Sequence, residues 1–404
     1  MIQKQTLGEI ILDQNKNFLQ KSLIAREESL PDYMNQIVIV SGVRRCGKSI
    51  LIRNSFSENQ SGLYLNFEDP RLVDFEPTDF PKLEELRNEF GKTTILLDEL
   101  QWIEGWEVFA RSLHEKGQPL YITGSNASML SRELGTRLTG RYKQIELFPF
   151  SYTEFLTYKG LAPEEASFES YFHLGGFPEY LHNQDQEYLR TLMRDILTRD
   201  VAVRRNISNE TQLIRLGVFL ASNVGKEFSY SKMAQLLEIK SVRTLIDYCD
   251  YLEESYLFDL IPMYSKSIRK QVANPKKAFC VDPALASANS LSFSKDLGRR
   301  LENFVYLHLR RSFNTIHYYR SKNSECDFLI KWNEEIIGTV QVCWELNSDN
   351  LQREVKGIKD AMKEIGLSSG FIITYNQEDI FEGISVIAAW KWFLKPANTY
   401  FNLE

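Results

Sequence analysis

The stretch "GVRRCGKSI" (42–50) carries the plainest chemistry in the chain, because it fits G-x-x-x-x-G-K-[ST] directly after an apolar run, "IVIVSG". Gly42 and Gly47 allow the backbone to turn its N–H groups inward, and a helix starting at Lys48 adds positive potential for phosphates. Gly42, Val43, Arg44, Arg45, Cys46, Gly47, Lys48, Ser49 and Ile50 are therefore the candidate cradle for a nucleoside triphosphate. Lys48 would reach the β- and γ-phosphates, and Ser49 would coordinate Mg²⁺. ATP and Mg²⁺ are the expected ligands.

"TTILLDELQWI" (93–103) supplies the matching acids. Asp98 ends an apolar strand, where it can bind Mg²⁺ through water, and Glu99 is the natural base for polarising an attacking water. Taken alone, the pair would be a solvated strand end; the phosphate loop upstream reverses that. The run "TGSNASML" places Asn126, with Ser125 second, where a side chain could sense the γ-phosphate, although either residue could also simply cap a helix. Arg132, Arg137 and Arg141 precede the next strand candidate, and Arg141 is the choice for an arginine reaching the γ-phosphate of a neighbouring subunit.

These residues need a scaffold, and the sequence outlines one. Short apolar runs at 37–42, 62–67, 93–99, 119–125 and 143–149 read as parallel strands buried on both faces, separated by stretches long enough for crossover helices. Residues 150–205 read as helix. Residues 211–262 contain helix, turn and helix, and with the apolar run "YLFDLIPMY" and the stretch "SKSIRKQVANPKK" (265–277) they make a winged-helix pattern with 265–277 as a polar, basic hairpin. The last section returns to α/β, with a helix "LENFVYLHLRR" and strands near 315–319, 326–332, 336–344 and 370–374.

The bulk numbers exclude other classes. A chain of 404 residues is too long for one ordinary core. With 43% hydrophobic and 25% charged residues it has a globular composition, and its net charge of −6 argues against wholesale nucleic-acid coating. No apolar run approaches a membrane span, the N-terminus lacks a signal-peptide pattern, and the five cysteines form no C-x-x-C pair; a cytoplasmic location is expected. The five histidines (114, 173, 182, 308, 317) show no metal-ligand spacing.

The motifs together resemble a family of prokaryotic ATPases in the AAA+ branch. The resemblance rests on G-x-R-R-x-G-K-S (Gly42 to Ser49), LLDE-L-Q (Leu96 to Gln101), TGSN (Thr123 to Asn126), L-x-G-R running into the stretch that ends at Phe155, and GGFPE (Gly175 to Glu179). It implies an α/β fold: a three-layer P-loop NTPase sheet with a helical lid, a winged helix and a C-terminal domain like restriction endonucleases of the PD-(D/E)XK type. The boundaries expected are 1–150 for the ATPase core, 151–205 for the lid, 206–282 for the winged helix and 283–404 for the nuclease-like domain. A ring or other homo-oligomer is implied; a substrate is not.

The nuclease-like tail departs from its family's pattern. Glu302 and Asp327 match two carboxylate positions, but the expected Glu-x-Lys is Gln341-Val342-Cys343. Gln341 offers an oxygen without charge, and Cys343 cannot replace an ammonium. Period-two alternation puts Glu325, Asp327, Leu329 and Lys331 on one face; Glu345 with Lys331 or Lys356 could in principle rebuild a site. The expectation is an inactive nuclease fold that binds a partner, protein or DNA. Lys266, Arg269, Lys270, Lys276 and Lys277 of the hairpin are the candidate DNA contacts, against the acidic helix "SVRTLIDYCDYLEES". An ATP-regulated nuclease and a nucleotide-binding scaffold with negligible turnover are the alternatives.

Overall fold

The computed structural model describes residues 1–18, 26–31, 36–56, 61–127, 138, 140–292 and 296–403. The chain gathers into two compact units, one of residues 1–148 with 254–256 and one of 149–253 with 257–404.

In the first unit the apolar runs become strands β1 (Ile37–Ser41), β2 (Gly62–Asn66), β3 (Thr94–Asp98), β4 (Leu120–Gly124) and β5 (Tyr142–Glu146). Every residue of β1, β3 and β4 is buried, and their side chains are mostly apolar on both faces, with Ser41, Asp98 and Thr123 the polar ones near the C-terminal ends. The sheet order is β2-β3-β4-β1-β5, all pairs parallel. Helices α1 (Lys4–Phe18), α2 (Lys48–Phe56), α3 (Phe80–Glu89) and α4 (Trp106–Glu115) connect or cover the strands. Leu7 and Ile10 of α1, Leu83 of α3 and Leu113 of α4 share one core with Ile39, Leu65, Leu97 and Ile122. Phe80 and Phe109 stack within it at 4.5 Å.

Parallel pairing decides where the chemistry can be. The C-terminal ends of β1, β3 and β4 lie along one sheet edge, with β4 between the other two. The loop after β1, the acids ending β3 and the Thr123–Asn126 turn after β4 are thereby neighbours. Arg141 precedes β5, whose Tyr142 aligns with Ile37 at the start of β1, so Arg141 lies at the opposite edge of its own sheet. Arg132 and Arg137 fall outside the described residues.

The second unit opens with helices Tyr152–Lys159, Glu165–Leu174, Pro178–Asn183 and Gln186–Asp195, the first started by a reciprocal Ser151/Glu154 cap. A π-helical stretch, Ile196–Val203, follows. Helices Glu210–Ser222, Tyr230–Leu236 and Val242–Glu254 then accompany a small antiparallel sheet, β6 (Glu227–Phe228), β7 (Phe258–Pro262) and β8 (Lys276–Cys280), in the order β6-β8-β7.

The hairpin expected at 265–277 is corrected here. The segment holds a helix, Ile268–Ala273, before β8 begins. "SIRKQVA" has no turn residue and favours helix; Pro275 ends it, and Asn274 before it is extended (ψ 156°).

The remaining strands are β9 (Thr315–Arg320), β10 (Glu325–Trp332), β11 (Glu335–Val342), β12 (Phe371–Thr374), β13 (Asp379–Phe381) and β14 (Ile384–Ala388), in the order β13-β14-β12-β11-β10-β9. β9, β10 and β11 pair antiparallel, whereas β12 is parallel to both β11 and β14. Helix Leu351–Ile365 packs Val355, Ile358 and Ala361 on this sheet. A bulge between Cys326 and Leu329 overturns the simple alternation expected along β10: those two residues, three apart, share one apolar cluster. Leu329 therefore does not share the face of Asp327.

Candidate functional site

Lys48 opens α2 with its side chain only 3% exposed. Its Nζ donates to the carbonyl oxygens of Gly42 and Val43, each at 3.1 Å, and stands 3.6 Å from Glu99. The loop is held tightly from behind. Gly42 has φ 144°, and a Cβ there would lie 2.1 Å from the Leu147 carbonyl oxygen, so only glycine fits. Arg26 straps the loop to the end of β5, donating from one guanidinium nitrogen to Cys46 O and from the other to Phe148 O, both at 2.7 Å. Nothing in the sequence around Arg26 signals that role.

Asp98 is buried among hydroxyls. Tyr64 donates to it at 2.5 Å, and the Thr123 and Ser49 hydroxyls also hydrogen-bond it. Burial, with the neighbouring Glu99 charge, raises its pKa. Burial also works against the Glu99 carboxylate, but Lys48, the Gln101 amide and Arg44 outweigh it and hold that pKa low. Glu99 adopts a left-handed backbone (φ 53°), which bends the chain sharply after β3; its N–H is tied to the Thr123 hydroxyl at 3.0 Å. Gln101 bridges Glu99 and Ser125, at 3.0 Å from the latter. Ser125 itself hydrogen-bonds Glu99, so the structure gives this serine a larger part than the sequence reading did. Asn126 is buried at the same edge.

These groups fit a magnesium nucleotide. The Ser49 hydroxyl and the Asp98 carboxylate form an adjacent oxygen pair of the kind a hard cation takes. Lys48 rests two of its protons on neutral carbonyl oxygens, weaker acceptors than a phosphate. Arg44 is engaged by Glu68 at 2.7 Å, while Arg45 is exposed with φ 67°. The Arg141 side chain lies in the field of Glu115.

The second unit assembles a different ionic centre. Glu302 and Asp327 do come together, and Glu325 joins them, around one ammonium. Lys277 of β8 approaches Glu302 at 3.0 Å, Glu325 at 2.8 Å and Asp327 at 3.1 Å with its side chain 4% exposed. Gly225 (φ 72°) lies against it; a Cβ there would stand 2.7 Å from Glu302. Burial, opposed by Lys277, pushes the Glu302 carboxyl up to about 8, with Asp327 and Glu325 adding to the rise.

This overturns Lys277 as a DNA contact. Lys276 is also spent, donating to Gln271 O at 2.6 Å. Of the five cations expected on the basic segment, Lys266, Arg269 and Lys270 are exposed.

Gln341 accepts from the Asp327 N–H at 3.1 Å and donates to Glu354 at 2.7 Å. A carboxylate at 341 could not donate, and would face Glu354 as a like charge. Lys331 pairs with Glu334 at the end of β10, away from the rebuilt site it was considered for. Among the described residues no group of three His, Cys, Asp or Glu is arranged to hold a metal ion. None of the described helices is long and apolar enough to cross a membrane.

Comparison with known proteins places these features in company. Residues 34–156 match the family described as AAA domain, 165–296 a domain of unknown function, DUF8612, and 297–392 another, DUF4143. An uncharacterized protein of Methanocaldococcus jannaschii is 32% identical over 98% of this chain and 96% of its own length. An uncharacterized protein of Haemophilus influenzae is 30% identical over 93% of this chain and its entire length. Among solved structures, the Aeropyrum pernix Orc1 protein in complex with DNA aligns at 11% identity over 71% of this chain and 90% of its own, with a TM-score of 0.32. The Pyrobaculum aerophilum Cdc6p aligns at 12% over the same shares, with a TM-score of 0.23. Superpositions that loose carry no argument about function.

Proposed function

The chain belongs to the family of AAA-domain proteins that spans its M. jannaschii and H. influenzae relatives, and from that premise we propose that it is a Mg²⁺-dependent ATPase whose second unit binds a partner instead of cutting one. The observation that carries the reading is the convergence of Lys48, Ser49, Asp98 and Glu99 at one sheet edge. Residues 42–50 hold the phosphates, Lys48 reaches the β- and γ-phosphates, and Ser49 with Asp98 holds the metal. Bound Mg²⁺ supplies charge neutralisation across those phosphates.

The chain's own groups do the rest. Glu99, kept ionised by Lys48 and oriented by Gln101, accepts a hydrogen bond from the attacking water and polarises it. Ser125 and Asn126 fix the γ-phosphate end. Arg141, remote from its own loop, serves the site of a second copy in a homo-oligomer.

We read the mixed sheet of the second unit as a nuclease-like fold without nuclease chemistry. Lys277 stands among the carboxylates that would take metal, and Gln341 is committed to Glu354. A protein partner is favoured over DNA, because two of the five cations of the basic segment are turned inward.

The test is Mg²⁺-dependent phosphate release by the purified chain, with and without duplex DNA. Glu99→Gln should keep ATP binding and lose turnover by about 100-fold or more, the scale of a positioned general base. Wild-type turnover in that variant removes Glu99 from its role, and strong stimulation by duplex DNA replaces the protein partner with nucleic acid.

A further inference from the structure

The second unit carries a helix that buries nothing. Helix Ile268–Ala273 lies in the excursion between β7 and β8, and none of its residues is buried. A helix of 6 residues is marginal on its own in water and ordinarily leans on a packed apolar face. Here the inward side offers only polar ties: Gln271 donates from its side chain to Ser265 O and accepts at its carbonyl from Lys276, both at 2.6 Å. Ile268 and Val272, one turn apart and so on one face, are 78% and 67% exposed. Lys266, Arg269 and Lys270 flank them, are exposed, and make no ion pair among the described residues. No acidic residue occurs in the sequence between Asp259 and Asp282.

The first unit carries a surface of the opposite charge. Val73 is 83% exposed, Val108 of α4 is 68% exposed, and Trp102 is half exposed. They belong to two stretches, 73–77 and 102–108, that adjoin: a Cβ at Gly105 would stand 3.9 Å from Pro77, and Phe75 and Phe109 both pack on Phe80. Asp74 and Glu104, in the same stretches, are exposed and make no ion pair among the described residues. The neighbouring cation, Arg71, is engaged by Asp69 at 2.7 Å and Asp13 at 3.0 Å. Glu76 is answered by the Met1 amino group at 3.4 Å. Asp74 and Glu104 are therefore the charges this surface has to offer.

One surface is aliphatic and rimmed by cations; the other is aliphatic and aromatic and rimmed by carboxylates. They match in both respects. We propose that the two are the halves of a contact between copies of this chain, with helix Ile268–Ala273 of one copy seated on the 73–77 and 102–108 surface of the next. The halves are different surfaces, so the contact is heterologous, and each copy keeps one half open for a further copy. DNA phosphates would satisfy the cations but leave Ile268 and Val272 without a partner, which favours protein. The inference gives the second unit's protein partner an identity, but it rests on these two surfaces and not on nucleotide chemistry.

So short a helix makes a small interface, so association should depend on concentration over roughly 1 to 100 µM. The experiment is sedimentation velocity on the full chain without nucleotide, which keeps the outcome separate from that of the ATPase assay. The weight-average mass should rise with concentration. A wing variant (Lys266→Glu, Arg269→Glu, Lys270→Glu) and a face variant (Asp74→Lys, Glu104→Lys) should each stay monomeric. Their equimolar mixture should associate, because mixing brings opposite charges together again at both halves. Ile268→Ser should weaken association by about tenfold, the scale of one aliphatic side chain left unburied. All these residues are exposed, so the fold tolerates the substitutions. A monomer at every concentration, association that neither charge variant lowers, or a mixture that stays monomeric overturns the proposal. Duplex DNA binding that the wing variant loses while self-association is unchanged overturns it in favour of nucleic acid.

Discussion

Among the described residues each unit buries a lysine near carboxylate, and the two lysines are opposites. Lys48 donates to two neutral carbonyl oxygens and stands 3.6 Å from one carboxylate. Lys277 faces three carboxylates, all within 3.1 Å. A cation with acceptors to exchange can turn to a phosphate. One fully enclosed by fixed carboxylates cannot leave without stranding their charge. On the proposed function, the same residue type would serve a ligand in one unit and is an internal counter-ion in the other.

The largest effect should come from breaking the saturated shell. Lys277→Met leaves Glu302 and Asp327 buried and uncompensated, and should cost about 3–5 kcal/mol of stability, read from urea denaturation. Adding Glu302→Gln and Asp327→Asn should recover most of the loss. A single variant as stable as wild type would mean that the carboxylates do not depend on Lys277, and the contrast with Lys48 would collapse.

Next in size, Lys48→Ala should lower ATP affinity by about 100-fold, or ~2.7 kcal/mol, in equilibrium titration. The unliganded chain should lose less stability than Lys277→Met does, because the loop carbonyls it releases can be hydrated and only one carboxylate, Glu99, loses its counter-ion. Unchanged ATP affinity would sink the assignment of the loop.

The two lysines were also unequally legible. Lys48 sits in a motif whose spacing is local, so "GVRRCGKSI" discloses it without tertiary information. β1, β3 and β4 were legible because they are buried along their whole length and mostly apolar. Glu302 and Asp327 could be picked out as a pair, but their partner could not: Lys277 reaches them from 25 and 50 positions away. In "NPKKAFC" it looks like the second half of a basic surface pair; the signal available was the fully apolar run that follows it, which marks a strand entering the core. Arg26 was invisible for the same reason, acting on backbone carbonyls far along the chain. The bulge in β10 defeated period-two counting, since no glycine or proline announces it.

The smallest predicted effect distinguishes the units by pH. His308 is half-buried and packs against Trp392 and Phe393, and desolvation there, with Arg311 adding to it, lowers its pKa to about 3. Burial, assisted by Lys331, takes His317 to about 4. Both belong to the second unit. Each stays neutral when folded and gains a proton near pH 6.5 when unfolded, so the stability they confer is complete above pH 6.5. It declines as pH falls below that value, until the folded-state pKa values of about 4 and 3 are reached. For His308 the slope is at most about 1.4 kcal/mol per pH unit. Urea midpoints of the second unit should therefore fall between pH 6.5 and 5, before ordinary carboxylates protonate, and His308→Gln should flatten that decline. A midpoint indifferent to pH over this range would mean that His308 is protonated in place, and that the core around Trp392 is less dry than its packing implies.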